Sequence, residues 1–227
     1  MCVLALWVGL DPKVPLAVAA NRDEAYDRPS APPAEIEPGI LAGRDLRSGG
    51  TWLGVNRDGL FVAVTNRQAP PRTATSVSRG VLALETLRTR KLACAVGLAE
   101  KRVRENTFPG FNWIAVQGDE GVALHFDGTI RKVSFGAGAH VISSDRDLDD
   151  PEMPEKLLFH RSFGPGLPDL GAIQAYLRSH DGERPVCKHQ EHFGTVSSTI
   201  YQGGASPRYL FAAGPSCRTR FEPVPGM

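Results

Sequence analysis

Met1-Cys2-Val3-Leu4-Ala5-Leu6-Trp7-Val8, a second apolar run from Val14 to Ala20, and then Asn21-Arg22-Asp23-Glu24: these opening residues decide the fold. The two runs have strand length and are split by Asp11-Pro12-Lys13, a loop of hairpin type. Both are almost continuously apolar, as expected of strands covered on both faces. The small side chain at position 2 permits removal of Met1, and Cys2 would then carry a thiol and a free α-amine on one residue. An α-amine titrates near ~8 and a thiol near ~8.5, so the two are matched to share a proton. A returning strand would set Arg22 and Asp23 beside the start of the first. Arg22 could then hold a thiolate or a substrate carbonyl, and Asp23 could orient the amine. A second reading fits the same residues: Cys2 as a small buried hydrophobe, with Arg22 and Asp23 as a salt bridge at a strand end. Spacing leaves both open.

Composition narrows the classes. The chain has 227 residues, 41% of them hydrophobic, enough for a sizeable core and read as one domain over residues 1–227. Its 26 basic and 25 acidic residues leave a formal charge of +1, which disfavours nucleic acid and anionic membranes as partners. Cys2, Cys94, Cys187 and Cys217 stand far apart with no Cys-x-x-Cys pair, and no His-x-x-x-His spacing occurs, so neither a metal nor a disulfide framework is expected. No cofactor motif is found. The first apolar run has no basic leader and breaks at Asp11-Pro12, and no later stretch could span a bilayer. A cytoplasmic protein without an integral membrane segment is expected; nothing indicates its oligomeric state.

Further along, Arg28 to Pro38 is proline-rich without a hydrophobic period and reads as a loop. Gly49-Gly50 before Thr51-Trp52 lets the backbone approach a neighbouring strand or a ligand, or forms a bulge that packs Trp52 inward. Leu53–Val55 and Leu60–Val64 read as a hairpin across Asn56-Arg57-Asp58-Gly59. Helical periods follow from Ser78, through Val81 to Leu87 and Leu92 to Val103, with Cys94 read as a packing residue. Strands at Asn112–Val116, Val122–Phe126, Thr129–Phe135 and His140–Ser143 read as a second antiparallel sheet. Helices over Glu155–Phe163 and Ala172–Ser179, the second started by Asp169, precede two strands at Thr195–Tyr201 and Arg208–Ala212, closed by Thr219 to Glu222.

Met1-Cys2, Asn21-Arg22-Asp23-Glu24, Gly49-Gly50-Thr51-Trp52-Leu53-Gly54, Thr65-Asn66-Arg67, Gly110-Phe111-Asn112 and Gly194-Thr195-Val196-Ser197-Ser198-Thr199 together resemble the NRDE family, also called the transport and Golgi organisation protein 2 homologues. The resemblance implies an α+β fold, a four-layer αββα sandwich of N-terminal-nucleophile (Ntn) hydrolase type, similar to the penicillin V acylases and bile-salt hydrolases. It implies Cys2 as nucleophile on a linear amide, Arg22 and Asp23 setting its state, Asn21 buttressing the pocket and Asn66 as oxyanion donor. Trp52, Arg67, Asn112 and Ser144 are the matching substrate-side residues. The chain departs from the family pattern at Ser144, where an asparagine is usual, and at Met153-Pro154, where Trp-Pro is usual. Loss of one such carboxamide donor costs a few kcal/mol of transition-state stabilisation, on the order of 3 kcal/mol. The family's association with haem mobilisation and with lipid or acyl-CoA metabolism implies an alternative, a non-catalytic protein holding haem or another apolar ligand in a cleft lined by Trp52, Phe111 and Trp113.

Overall fold

The computed structural model describes residues 2–225 and divides into two compact units, one comprising the N-terminal segment to Asp27 with residues from Ala137 onward, the other Arg28–Gly136. In the first unit the two apolar runs form β1 (Val3–Asp11) and β2 (Val14–Ala25), a hairpin in antiparallel register with Val3 opposite Asn21 and Val8 opposite Leu16. As their composition requires, both faces are buried. Val3, Ala5, Trp7, Ala17 and Ala19 join one core cluster, and Leu4, Leu6, Leu16 and Val18 are buried on the alternate face.

The second unit is a meander. β3 (Ser30–Glu37), β4 (Ile40–Asp45), β5 (Leu53–Asn56), β6 (Phe61–Asn66), β7 (Phe111–Gln117), β8 (Glu120–Phe126) and β9 (Ile130–Phe135) lie in sequence order in one seven-stranded sheet. Two helices, α1 (Arg79–Leu87) and α2 (Leu92–Glu105), are inserted between β6 and β7. They bury Leu82, Leu87, Ala95 and Val103 in a core shared with Val62, Trp113, Ala115 and Leu124 of the strands.

Two expectations are corrected here. Arg28–Pro38 is not simply a loop, because most of it is β3; as the outermost strand, β3 tolerates Pro32 and Pro33, whose missing N–H groups fall in a register shift between Ala31 and Ala34. The later strands do not make a sheet of their own, since β7 pairs with β6 and extends the existing meander. Only the last of those four, β10 (Gly138–Ser143), leaves it, pairing with β1 through Val3 opposite Ser143.

The first unit is completed by α3 (Pro154–Ser162), α4 (Leu170–Arg178), β11 (Phe193–Gln202), β12 (Arg208–Ala212) and β13 (Glu222–Pro223). Its sheet runs β10-β1-β2-β11-β12-β13, antiparallel at every pair. Asp169 starts α4 by accepting the Ala172 N–H at 2.8 Å. Phe159, Ile173, Tyr176 and Leu177 seat the two helices on the sheet, with Trp7 edge-on to Phe163 at 5.1 Å. Each unit is thus an antiparallel sheet carrying a pair of helices, which makes the chain α+β. No helix among the described residues is long and apolar enough to cross a membrane.

Of the paired glycines, Gly50 serves α1. A Cβ on Gly50 would stand 2.1 Å from the Gly80 carbonyl carbon, and the adjacent Thr51 N–H donates to the Gly80 carbonyl at 3.0 Å. The close approach is made by Gly50 alone and is to the first turn of a helix, whereas Gly49 has open space beside it and a positive φ of 74°. Trp52 lies over Gly43, where a Cβ would meet its ring at 2.3 Å. Asn56 organises the following turn: its side-chain oxygen accepts the Asp58 and Leu60 N–H groups at 3.0 Å, and its amide donates to the carbonyl of Leu87, the last residue of α1, and to that of Thr89 just beyond.

Candidate active site

Cys2 precedes β1 by one residue, and continuing the Val3–Asn21 register sets it opposite Arg22. Directly opposed residues share a face, so Cys2 and Arg22 lie on one side of the sheet. Ser197 of β11, register partner of Arg22, lies there too. Asn21 and Asp23 alternate to the other side, with Ala17 and Ala19, where α4 packs.

The backbone N–H of Cys2 donates to Ser144 Oγ at 2.9 Å, and the Ser144 N–H returns a bond to the Cys2 carbonyl at 3.1 Å. The hydroxyl at the position where the family usually has asparagine therefore serves the Cys2 nitrogen. The Cys2 thiol donates to the Asp23 carbonyl at 3.9 Å. Burial pushes the Cys2 thiol up; the Asp23 charge adds to this, and Arg22 opposes it. Arg22 is itself only 5% exposed.

Asp23 is held by two groups that the spacing of the sequence did not single out. Its Oδ2 accepts Lys188 Nζ at 2.9 Å and its Oδ1 accepts Thr195 Oγ1 at 2.7 Å. The ion pair is buried, at 6% and 0% side-chain exposure. Burial raises the Asp23 carboxyl above its ordinary value, and Lys188 and Thr195 act against that rise. Lys188 is placed by its backbone, whose N–H donates to Thr195 Oγ1 and whose carbonyl accepts the Thr195 N–H, both at 2.9 Å. A lysine in the loop segment Pro185–Gln190 gives no periodic or motif signal; only β11 landing beside β2 reveals it.

Asn21 is fully committed. Its amide donates to the Leu177 and Val186 carbonyls, each at 2.9 Å, and its oxygen accepts Ser198 Oγ at 2.6 Å. It ties β2 to α4 and β11 and has no N–H left for a substrate. Ser197 Oγ differs: buried at 4% exposure, it has no hydrogen-bond partner among the described residues.

The remaining sequence-derived candidates belong to the second unit. Asn66 ends β6 opposite Phe111 and is partly exposed. Asn112 is fully buried, donating to Thr65 Oγ1 at 2.9 Å and accepting Arg67 at 2.9 Å. Since Arg67 can only donate, the Asn112 oxygen must face it, and the His125 Nδ1 at 2.8 Å from that oxygen must carry its proton. Arg67 also reaches Asp127 at 3.8 Å. Phe111 and Trp113, expected to line a cleft, are instead fully buried in the core, Trp113 donating to Thr86 Oγ1 at 3.1 Å. Cys94, read as packing, is exposed on α2.

These features define a class. Among solved structures, the chain is similar to the N-acylethanolamine-hydrolyzing acid amidase ortholog of Caenorhabditis elegans, with TM-score 0.58, 11% identity and coverage of 88% of this chain and 92% of that one. Penicillin V acylase from Agrobacterium tumefaciens matches at TM-score 0.54 and 13% identity, covering 93% and 83% of the two chains. A variant of conjugated bile acid hydrolase from Clostridium perfringens matches at 0.54 and 9%, covering 98% and 92%. The fold is that of the Ntn hydrolases. A family model, Transport and Golgi organisation 2, matches residues 1–156, and the chain belongs to that family. The mouse and human Transport and Golgi organization 2 homologues are each 36% identical over 105 residues, a stretch spanning 44% of this chain and 38% of theirs.

Proposed function

We propose that the protein is an Ntn-type amide hydrolase in which Cys2, exposed as the first residue by removal of Met1, attacks the carbonyl of a linear amide. The observation that carries this reading is the pair of contacts at Cys2: Ser144 Oγ on its nitrogen at 2.9 Å, and the Asp23 carbonyl on its sulfur at 3.9 Å. An amidase and an acylase by name share the fold, which supports an acyl amide as the substrate class.

The thiol proton passes to the α-amine, sulfur bonds to the carbonyl carbon, and the amide C–N bond breaks as the ammonium returns that proton to the leaving amine. Water then hydrolyses the thioester, the α-amine again taking and returning a proton. Ser144 orients the amine by accepting one of its N–H groups. Arg22, on the face shared with Cys2, favours the thiolate as it forms. The Ser197 hydroxyl, without a partner among the described residues, is available to a substrate polar group.

Phe111 and Trp113 lie in the core, so the apolar-ligand alternative loses two of the three aromatic residues on which it stood.

The test is intact mass spectrometry of Met1-trimmed protein mixed with a panel of N-acyl amides. An acyl adduct on Cys2, absent in Cys2→Ala, is expected. Its rate should rise with pH until the α-amine is neutral and then level off, because the neutral amine is the base. A panel that yields neither adduct nor free amine overturns the proposal.

A further inference from the structure

Away from Cys2, the first unit gathers four metal-binding side chains from three separate segments: His180 just beyond α4, Cys187 and His189 ahead of β11, and Cys217 after β12. One ligand atom from each lies within 4.8 Å of all the others. Around a tetrahedral zinc ion with bonds of ~2.0–2.3 Å, neighbouring donors stand roughly 3.3–3.8 Å apart. His189 Nε2 is 3.7 Å from Cys187 Sγ and 3.2 Å from Cys217 Sγ, and the His180 and His189 ring centroids are 5.3 Å apart.

Hydrogen bonds that need no metal hold the three segments together. The Cys187 N–H donates to the Ser179 carbonyl at 2.9 Å, tying the second segment to the end of α4. Arg178 Nε donates to the Ser216 carbonyl at 3.0 Å, and Ser216 Oγ to the Leu177 carbonyl at 3.1 Å, bringing the third segment to the same helix end. His189 pairs with Gly194 in a bridge that opens β11. The donors therefore sit on an ordered backbone before any ion arrives.

We infer that His180, Cys187, His189 and Cys217 form a Cys2His2 site for a zinc ion. Two soft sulfurs and two imidazoles in tetrahedral reach suit Zn2+ and disfavour Mg2+ or Ca2+, which take oxygen ligands. On binding, each thiol releases one proton, and two thiolates neutralise the dication while the imidazoles bind neutral. Sequence spacing concealed the set, because its two cysteines come from opposite ends of β11 and β12.

The site has a second consequence. Lys188 lies between two of the ligands, and its Nζ holds Asp23, whose carbonyl accepts the Cys2 thiol. Zinc would clamp the residues on both sides of Lys188 and so fix the Lys188–Asp23 pair. This link to Cys2 chemistry rests on the hydrolase reading; metal binding itself does not.

The test uses untagged full-length protein, reduced and freed of metal, then titrated with Zn2+ or Co2+ and assayed by elemental analysis and absorption. One zinc per chain is expected, and the Co2+ form should show tetrahedral d–d bands with a thiolate-to-cobalt band. His180→Ala and Cys217→Ser should each weaken zinc binding by at least ~100-fold, while Cys94→Ser, altered at an exposed helical cysteine, binds as the parent does. Failure to take up one zinc, retention of tight binding in both ligand variants, or a Cys187–Cys217 disulfide in the protein as isolated would each overturn the site. Zinc bound at these residues with no change in the alkylation rate of Cys2 would uphold the site and overturn its link to Cys2.

Discussion

Replacing Lys188 with methionine keeps the side chain's length and removes its charge, which isolates what the ammonium does for Asp23. The two are 2.9 Å apart with 6% and 0% of their side chains exposed, so solvent screens the pair little. Removing one member of such a pair costs about 3–5 kcal/mol, because the other charge stays buried without its counter-ion. Asp23 can escape part of that cost by taking up a proton. Its carboxyl is already raised by burial, and Lys188 supplies the largest opposing influence, so the variant's value rises further.

The sign follows from linkage. Between the unfolded aspartate value of ~3.9 and the higher folded value, the native state holds one more proton than the unfolded chain. Stability therefore falls by about 1.36 kcal/mol per pH unit through that window and is independent of this group above it. In Lys188→Met the window reaches to higher pH, so its deficit relative to the parent should widen as pH rises. Urea unfolding of parent, Lys188→Met, Asp23→Asn and the double variant between pH 5 and pH 8 measures this. The full deficit is expected at the alkaline end, and a substantial favourable coupling energy in the double-mutant cycle. A Lys188→Met protein within ~0.5 kcal/mol of the parent at every pH, the range of ordinary surface changes, would refute the reasoning.

Ser197→Ala removes a buried hydroxyl that has no partner among the described residues, so stability should stay level or rise by up to about 1 kcal/mol in urea unfolding, while acylation of Cys2 by a good substrate slows. Gly50→Ala forces a Cβ against the Gly80 backbone and should cost about 1–3 kcal/mol, with faster amide hydrogen exchange in α1 as its signature. Under limiting iodoacetamide near neutral pH, Cys94, exposed on α2, should be alkylated before Cys2, whose thiol burial holds in the protonated form; peptide mapping reads the order, and the gap should close as pH rises.

How much of this was legible in the sequence varies with the kind of contact. The β1–β2 hairpin, the α1 and α2 periods and the Asp169 cap are local, and each appears where residue pattern placed it. The strand at Ser30–Glu37 was hidden because Pro32 and Pro33 deny it a normal propensity, and what stabilises it is its edge position in a sheet built by later residues. The destination of β10 was equally invisible: its alternation says strand, but nothing in it says that its partner is β1 and not β9. Around Cys2, the neighbouring Asn21-Arg22-Asp23 could be singled out because a hairpin register is short-range. Lys188, Thr195 and Ser144 make their contacts there across 142 or more residues, which no spacing rule covers; the family resemblance named Ser144 and the motif holding Thr195, and nothing named Lys188. Asn112 shows the converse: a recognisable motif residue whose hydrogen bonds to Thr65, Arg67 and His125 all lie inside its own unit, which the motif did not foretell.

The strand order of the first sheet also bears on how the chain is made. β2 emerges from the ribosome early, yet its outer neighbour β11 begins only at Phe193, roughly 170 residues later. At ~5–20 residues per second, the nascent hairpin waits on the order of ten seconds or more with its β2 edge unpaired, the β1 edge being covered earlier by β10. Arrested chains ending before β11 should therefore associate with chaperones or aggregate, and release from that state should coincide with synthesis of the C-terminal third.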